Sequence, residues 1–160
     1  DYESLIPRVA DHANLVVTRT FSKIYGMAGL RCGYAVGQPE AIARLDRQQA
    51  WDTLNIMALA AARAGLADET HTERSRRLNR ETRTHVTSEL GSLGCPVIPS
   101  QTNFVMASLG RDAGPVIAAL AERGVRVGRR FPAMPEHLRV TLGTRAQMET
   151  FLQAFRDVIG

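Results

Sequence analysis

The sequence predicts an α/β chain in three parts. Short β-branched runs alternate with helix signals over residues 1–68. One long polar helical stretch fills 69–93, and short strand and helix units resume over 94–160. At 160 residues the chain is long enough for one modest domain or for part of a larger one. Its 44% hydrophobic and 22% charged residues match an ordinary soluble globular protein.

Taken in order, Asn14-Leu-Val-Val-Thr18 reads as a buried parallel strand. The stretch TFSKIYGMAGLR, Thr20 to Arg31, follows as a loop. Arg31 to Val36 reads as the next strand, Gly37 ends it, and Pro39 stands at a favoured first helical position. That helix is expected to run to about Gln49. Leu54 to Leu66 is an alanine-rich helix, and Gly65 with the polar Asp68–His71 marks a break. Thr72 to Leu93 reads as one long helix with a thin apolar stripe of Leu78, Val86, Leu90 and Leu93, stopped by Gly94.

Beyond Gly94, strands are expected at Val97-Ile98, Asn103–Met106, Val125–Val127 and His137–Leu142. Asp112 to Arg123 reads as a helix with Val116, Ile117 and Leu120 on one face, closed by Gly124. Thr144 and Gln147 form a capping-box signal. The last helix lines up Met148, Phe151, Leu152, Phe155 and Ile159. The expected organisation is a piece of parallel α/β sheet (about 1–68), a connecting helix (about 69–93) and a small α+β domain (about 94–160). Two strands in the first part are few where about 5–6 is common. With no initiator methionine, an N-terminal half is expected to precede the chain.

The net charge of +4 comes mostly from arginine and suits acidic small molecules or nucleic acid. The densest basic run, Arg74 to Arg83, has Asp68, Glu69, Glu73 and Glu81 nearby and no stacking aromatics, so it reads as a solvated helix face. No nucleic-acid partner is expected. No apolar run approaches the ~20 residues that span a bilayer, and the acidic start Asp1-Tyr2-Glu3 is not a signal peptide. Cys32 and Cys95 are too few for a disulfide framework, which fits a cytoplasmic protein. His12, His71, His85 and His137 are scattered without metal-ligand spacing, so no metal is expected. There is no G-x-S-x-G elbow, the glycines follow the lysine instead of preceding it as in a Walker loop, and Gly26, Gly29 and Gly33 miss the G-x-G-x-x-G spacing.

Lys23 is the chemically suggestive residue. Thr20 and Ser22 offer hydroxyls, Gly26 and Gly29 allow close backbone approach, and Arg31 offers a planar fork; together they can hold a phosphate. A neighbouring cation or burial lowers a lysine pKa and makes the free amine a better nucleophile. An amine beside a phosphate grip is what pyridoxal phosphate requires. On chemistry alone, an exposed loop lysine remains the other reading.

The run from Asn14 to Tyr34, NLVVTRTFSKIYGMAGLRCGY, resembles the lysine segment of class I/II pyridoxal-phosphate-dependent aminotransferases, and the histidinol-phosphate aminotransferase-like branch in particular. The resemblance continues in the family's order through Thr102-Asn-Phe-Val105, Arg123-Gly-Val-Arg-Val127 and Leu138-Arg-Val-Thr-Leu-Gly-Thr144, so it covers the whole chain. It implies the C-terminal part of a PLP-dependent transferase fold of type I and a cytoplasmic homodimer using pyridoxal 5′-phosphate. Lys23 would carry the cofactor as a Schiff base and shuttle the substrate proton. Thr20, Ser22 and Arg31 would bind the cofactor phosphate, and Arg139 the substrate carboxylate. The implied substrates are histidinol phosphate or an aromatic or related amino acid, with a 2-oxo acid such as 2-oxoglutarate.

Two departures stand out. Where this branch usually carries an arginine for the substrate phosphate, the chain has Gly128, flanked by Arg129 and Arg130; either takes the role, or the substrate lacks a phosphate. Residues that the family's earlier half supplies, including the aspartate facing the pyridine nitrogen, have no counterpart here. Asp1 is not assigned that part, and the segment alone is expected to be almost inactive. A decarboxylase or lyase on the same motif, and a non-catalytic module binding acidic ligands, are the alternatives.

Overall fold

Two antiparallel strand pairs organise the chain, one in each of two units, Asp1–Ser75 and Arg76–Gly160. The computed structural model describes residues 3–50 and 53–160. Asp1, left without a role above, lies outside the described residues.

In the first unit a 3₁₀ turn, Ile6–Asp11, leads into β1 (Val16–Thr20). A 3₁₀ turn over Ala28–Leu30 precedes β2 (Gly33–Gly37). The strands pair antiparallel, with Val17 opposite Val36 and Thr20 opposite Gly33. The parallel arrangement expected for this part is therefore not how these two strands meet. The chain between them folds back on itself: the Phe21 N–H donates to the Cys32 carbonyl at 3.1 Å and the Met27 N–H to the Phe21 carbonyl at 3.1 Å. A parallel neighbour would need a crossover carrying the chain back along the whole strand.

Helix α1 (Pro39–Asp46) starts on Pro39 as expected, but it ends before Gln49. The last residues close into tighter turns, Gln48 N–H to Leu45 carbonyl and Gln49 N–H to Asp46 carbonyl. Helix α2 (Ile56–Ala67) is capped by Asn55, whose Oδ1 accepts the Ala58 N–H at 2.8 Å. The break expected over Asp68–His71 shrinks to one residue. Asp68 Oδ1 accepts the His71 N–H at 2.9 Å and so starts α3 (Glu69–Ser92) directly.

In the second unit Val86 and Leu90 of α3 are fully buried, whereas Leu78 is 47% exposed. Leu78, Thr82, Val86 and Leu90 form one i, i+4 row, and such a row drifts about 40° around the helix at each step. By Leu78 it has left the core, and the expected stripe is shorter by that residue. The basic run stays mostly at the surface, although Arg83 donates to the Thr102 carbonyl at 3.0 Å.

Strand β3 (Phe104–Ser108) pairs antiparallel with β4 (His137–Thr141), Val105 opposite Val140 and Met106 opposite Arg139. The other two expected strands are not built. Val97 makes a single bridge to Ala107, and Val125–Val127 carries no ladder; the tie nearby is the Gly128 N–H to the Arg139 carbonyl at 2.9 Å. Helix α4 (Ala113–Glu122) is N-capped by Asp112, and Gly124 leaves it with a φ of 76°, the left-handed value glycine tolerates. Both halves of the Thr144–Gln147 capping box are present at α5 (Arg145–Ile159). Leu90, Val105, Leu120, Leu138, Leu152 and Phe155 form the centre of this unit's core. Among the described residues no helix is long and apolar enough to cross a membrane.

Truncation of Leu152 to alanine empties part of that core. Urea unfolding should register a loss of about 2–5 kcal/mol, against less than about 0.5 kcal/mol for Leu78→Ala.

Candidate active site

The residues from Thr20 to Arg31 form a closed loop because its two ends are strand partners. Thr20 ends β1 opposite Gly33, the first residue of β2. A Cβ on Gly33 would lie 2.6 Å from the Arg19 carbonyl oxygen, a backbone atom that cannot yield, so glycine is what permits the loop to close. Inside the loop the Gly26 N–H donates to the Lys23 carbonyl at 2.9 Å, and Gly26 takes a φ of 69°. Lys23 therefore opens a tight turn. Its side chain is exposed, and the burial considered from the sequence is not found among the described residues.

The hydroxyls stand together. Thr20 Oγ1 donates to Ser22 Oγ at 2.8 Å and accepts the Ser22 N–H at 3.0 Å. This arrangement leaves the Ser22 hydroxyl proton to point elsewhere. Arg31 closes the loop in the left-handed region, φ 56° and ψ 52°, the one non-glycine residue with positive φ among those described. Such a conformation costs on the order of 1–3 kcal/mol and gathers at functional sites. Arg31 Nη1 donates to the Ala28 carbonyl at 2.6 Å, which fixes the guanidinium while Nε and Nη2 keep their donors. The space beside Gly26 and Gly29 is open: a Cβ built at either meets nothing within 4 Å. Two hydroxyls, a fixed arginine fork and open backbone glycines are a donor set that fits a phosphate, with an amine in the same turn.

Helix α2 supports this loop from behind. Phe21 and Cys32 pack against Ala58 and Ala62, with Tyr25, Met27 and Leu30 around them. Asn55 Nδ2 donates to the Leu30 carbonyl at 3.2 Å. A Cβ on Gly65 would meet Met27 Cε at 2.8 Å and Tyr25 Cδ1 at 3.2 Å, so the glycine lets the two elements touch. In the sequence Gly65 reads as part of a helix break, and its packing role depends on neighbours far off along the chain that no local signal marks.

Arg139 lies on β4, in the second unit. Its guanidinium carbon sits 4.1 Å from the Phe104 ring centroid, and its Nε is buried with no partner among the described residues. An aromatic face attracts the cation but does not satisfy its N–H groups. Gly128 runs alongside: a Cβ there would meet Arg139 Cβ at 2.8 Å and its Cγ at 3.0 Å. Glycine at 128 is thus a packing requirement of Arg139. Of its two neighbours, Arg130 is held by Asp112 through Nε–Oδ1 at 2.9 Å and Nη2–Oδ2 at 2.5 Å, whereas Arg129 stands 5.2 Å from the Phe131 ring. One cleft of ≈ 420 Å³, between Val125–Val127 and α5, contains none of the predicted site residues. Among the described residues no group of three or more His, Cys, Asp or Glu side chains could hold a metal.

The family model for aminotransferase class I and II matches residues 1–155. The chain belongs to this family. Histidinol-phosphate aminotransferase of Moorella thermoacetica is 43% identical over 152 residues, 94% of this chain and 39% of that protein. The crystal structure of an Erwinia carotovora atroseptica protein assigned to the histidinol-phosphate aminotransferases superposes with a TM-score of 0.93 at 32% identity, across 98% of this chain and 45% of that one. Histidinol-phosphate aminotransferase from Sinorhizobium meliloti, solved in complex with pyridoxal-5′-phosphate, gives a TM-score of 0.89 at 27% identity, over 96% of this chain and 43% of that one. This aminotransferase-family chain thus spans less than half the length of the relatives it matches, and its fold is that of part of a fold-type I enzyme.

Two outcomes follow from the second unit. The paired Arg130 guanidinium, and then the Gly114 N–H, hold the Asp112 carboxyl below the ordinary carboxylate range. A depressed folded-state pKa stabilises above the unfolded value of ~3.9 and is lost as pH falls through the folded value. NMR titration should find the Asp112 midpoint below ~3.9, rising in Arg130→Met. Gly128→Ala should cost about 1–3 kcal/mol in urea unfolding, since the added methyl meets the base of Arg139.

Proposed function

We propose that the whole protein is a pyridoxal 5′-phosphate-dependent aminotransferase. It moves an amino group between histidinol phosphate, or a related amino acid, and a 2-oxo acid such as 2-oxoglutarate. The observation that carries this reading is the Lys23 turn, set between the Thr20–Ser22 hydroxyl pair and Arg31, in a chain that matches the family over residues 1–155. The Moorella and Sinorhizobium relatives supply the substrate and cofactor in their names.

In this reading Thr20, Ser22 and Arg31 grip the cofactor phosphate by hydroxyl and charge-assisted N–H donors. The Lys23 amine, once deprotonated, is the nucleophile that holds the cofactor. Pyridoxal 5′-phosphate, when bound, supplies the electron sink that makes a proton on the substrate α-carbon acidic. Lys23 then takes that proton as a general base and returns it as a general acid, a role worth about 10²–10⁴ in rate. Arg139 receives the carboxylate of an amino or oxo acid in its planar fork, which gives its buried Nε the acceptor it lacks among the described residues. For a substrate phosphate, Arg129 is the available neighbour, because Asp112 already engages Arg130. The working protein is a homodimer of the cytoplasm, and the 160-residue segment by itself is nearly inactive.

On the intact protein, Lys23→Ala should lower turnover by at least about a hundredfold. Borohydride treatment of the wild-type holoprotein should leave the cofactor mass on the peptide containing Lys23. Full turnover by Lys23→Ala would sink the enzyme reading. Carbon dioxide release without oxo-acid consumption in a donor screen with 2-oxoglutarate would move the assignment to a decarboxylase.

A further inference from the structure

The Lys23 turn has one tether from outside the loop that the mechanism does not use. His71 Nε2 lies 3.0 Å from the Ile24 carbonyl oxygen. Ile24 follows Lys23 directly and lies inside the turn that the Gly26 N–H closes on the Lys23 carbonyl. A carbonyl only accepts, so Nε2 carries the proton in this contact. No other group among the described residues donates to the Ile24 oxygen.

The backbone of His71 is itself anchored. Its N–H donates to Asp68 Oδ1 at 2.9 Å, at the start of α3, so His71 stands in the first turn of a 24-residue helix. Ser75 Oγ, one turn further on, is 3.5 Å from the same Nε2, at the limit of a hydrogen bond. Just before this corner, Gly65 of α2 lies close against Tyr25 and Met27, the first and third residues after Ile24. The α2–α3 corner therefore meets the loop twice, by packing at Tyr25 and Met27 and by a directional bond at Ile24.

We propose that His71 is a positioning residue: its bond to the Ile24 carbonyl sets the orientation of the Lys23 turn and so the direction of the lysine amine. This rests on the reading of Lys23 as the cofactor-holding lysine. Proper aim matters here because small displacements of a reacting group lose large factors in rate. Packing at Gly65 fixes where the loop lies but not how the Ile24–Tyr25 peptide, which carries the bonded carbonyl, is turned, since apolar contact is non-directional.

Hydrogen exchange on the intact protein tests the tether without any cofactor. The Gly26 and Met27 amides, both bonded within the loop, should exchange about fivefold faster in His71→Ala, the effect of one ordinary hydrogen bond. His71→Gln, whose side-chain N–H reaches as far as Nε2, should restore the wild-type rate, while Ser75→Ala should leave it unchanged. In the holoprotein the pH midpoint of the cofactor's visible band should move in His71→Ala and return in His71→Gln, a recovery that a general loss of stability would not give. Unchanged exchange at Gly26 and Met27 in His71→Ala overturns the proposal. Faster exchange in His71→Ala, together with a wild-type protein whose Lys23 takes no label from borohydride, upholds the tether and overturns the cofactor reading instead.

Discussion

Everything at the candidate site depends on the antiparallel closure of β1 on β2. Thr20 and Gly33 face each other, and the Phe21 N–H reaches the Cys32 carbonyl, so twelve residues are cinched into a loop with fixed ends. The closure is possible because Gly33 presents only hydrogen to the Arg19 carbonyl. A backbone contact of this kind has no flexible partner to move aside, unlike the contact at Gly65, where the obstructing atom is the end of a methionine. Once the ends are fixed, two hydroxyls stand at one end of the loop and Arg31 at the other.

The loop also illustrates how strain and packing share the work. Arg31 occupies a left-handed conformation that an arginine does not choose freely, and a single turn of 3₁₀ helix plus its bond to the Ala28 carbonyl hold it there. The small residues Ala58 and Ala62 let α2 approach Phe21 and Cys32 closely. Large side chains on α2 would bury more apolar surface but would hold the loop further away. The cluster is therefore small, and directional bonds from Asn55 and His71 complement it.

The second unit is built differently. Its core is large and conventional, with α3, α4 and α5 covering one strand pair through Leu90, Leu120, Leu152 and Phe155. Arg139 is its exception, a cation laid on Phe104 with a buried nitrogen that the described residues leave unpaired. Such a nitrogen is costly in a folded protein, and the extended Gly128 segment runs close beside it only because residue 128 has no side chain. Asp112 meanwhile withdraws Arg130 into a pair at the α4 cap, so two adjacent arginines of identical chemistry have different surroundings.

Much of this was legible in the residues alone. Pro39, Asp112, Gly124 and the Thr144–Gln147 box mark helix ends through local hydrogen bonding, which a sequence states directly. The lysine segment was legible too, because Thr20, Ser22, Lys23 and Arg31 are close along the chain. The sequence by itself determined most of the helix ends, the closeness of Thr20, Ser22, Lys23 and Arg31 along the chain, and the family. Tertiary structure alone decided that β1 and β2 run antiparallel, that Val125–Val127 is no strand, that Leu78 leaves the core, and that Gly128 belongs to Arg139. It also joined His71 to Ile24, 47 residues apart. The reason is physical: caps, turns and periodicity are set by neighbours within a few bonds, whereas pairing direction, burial and close approach depend on which distant surfaces share one space.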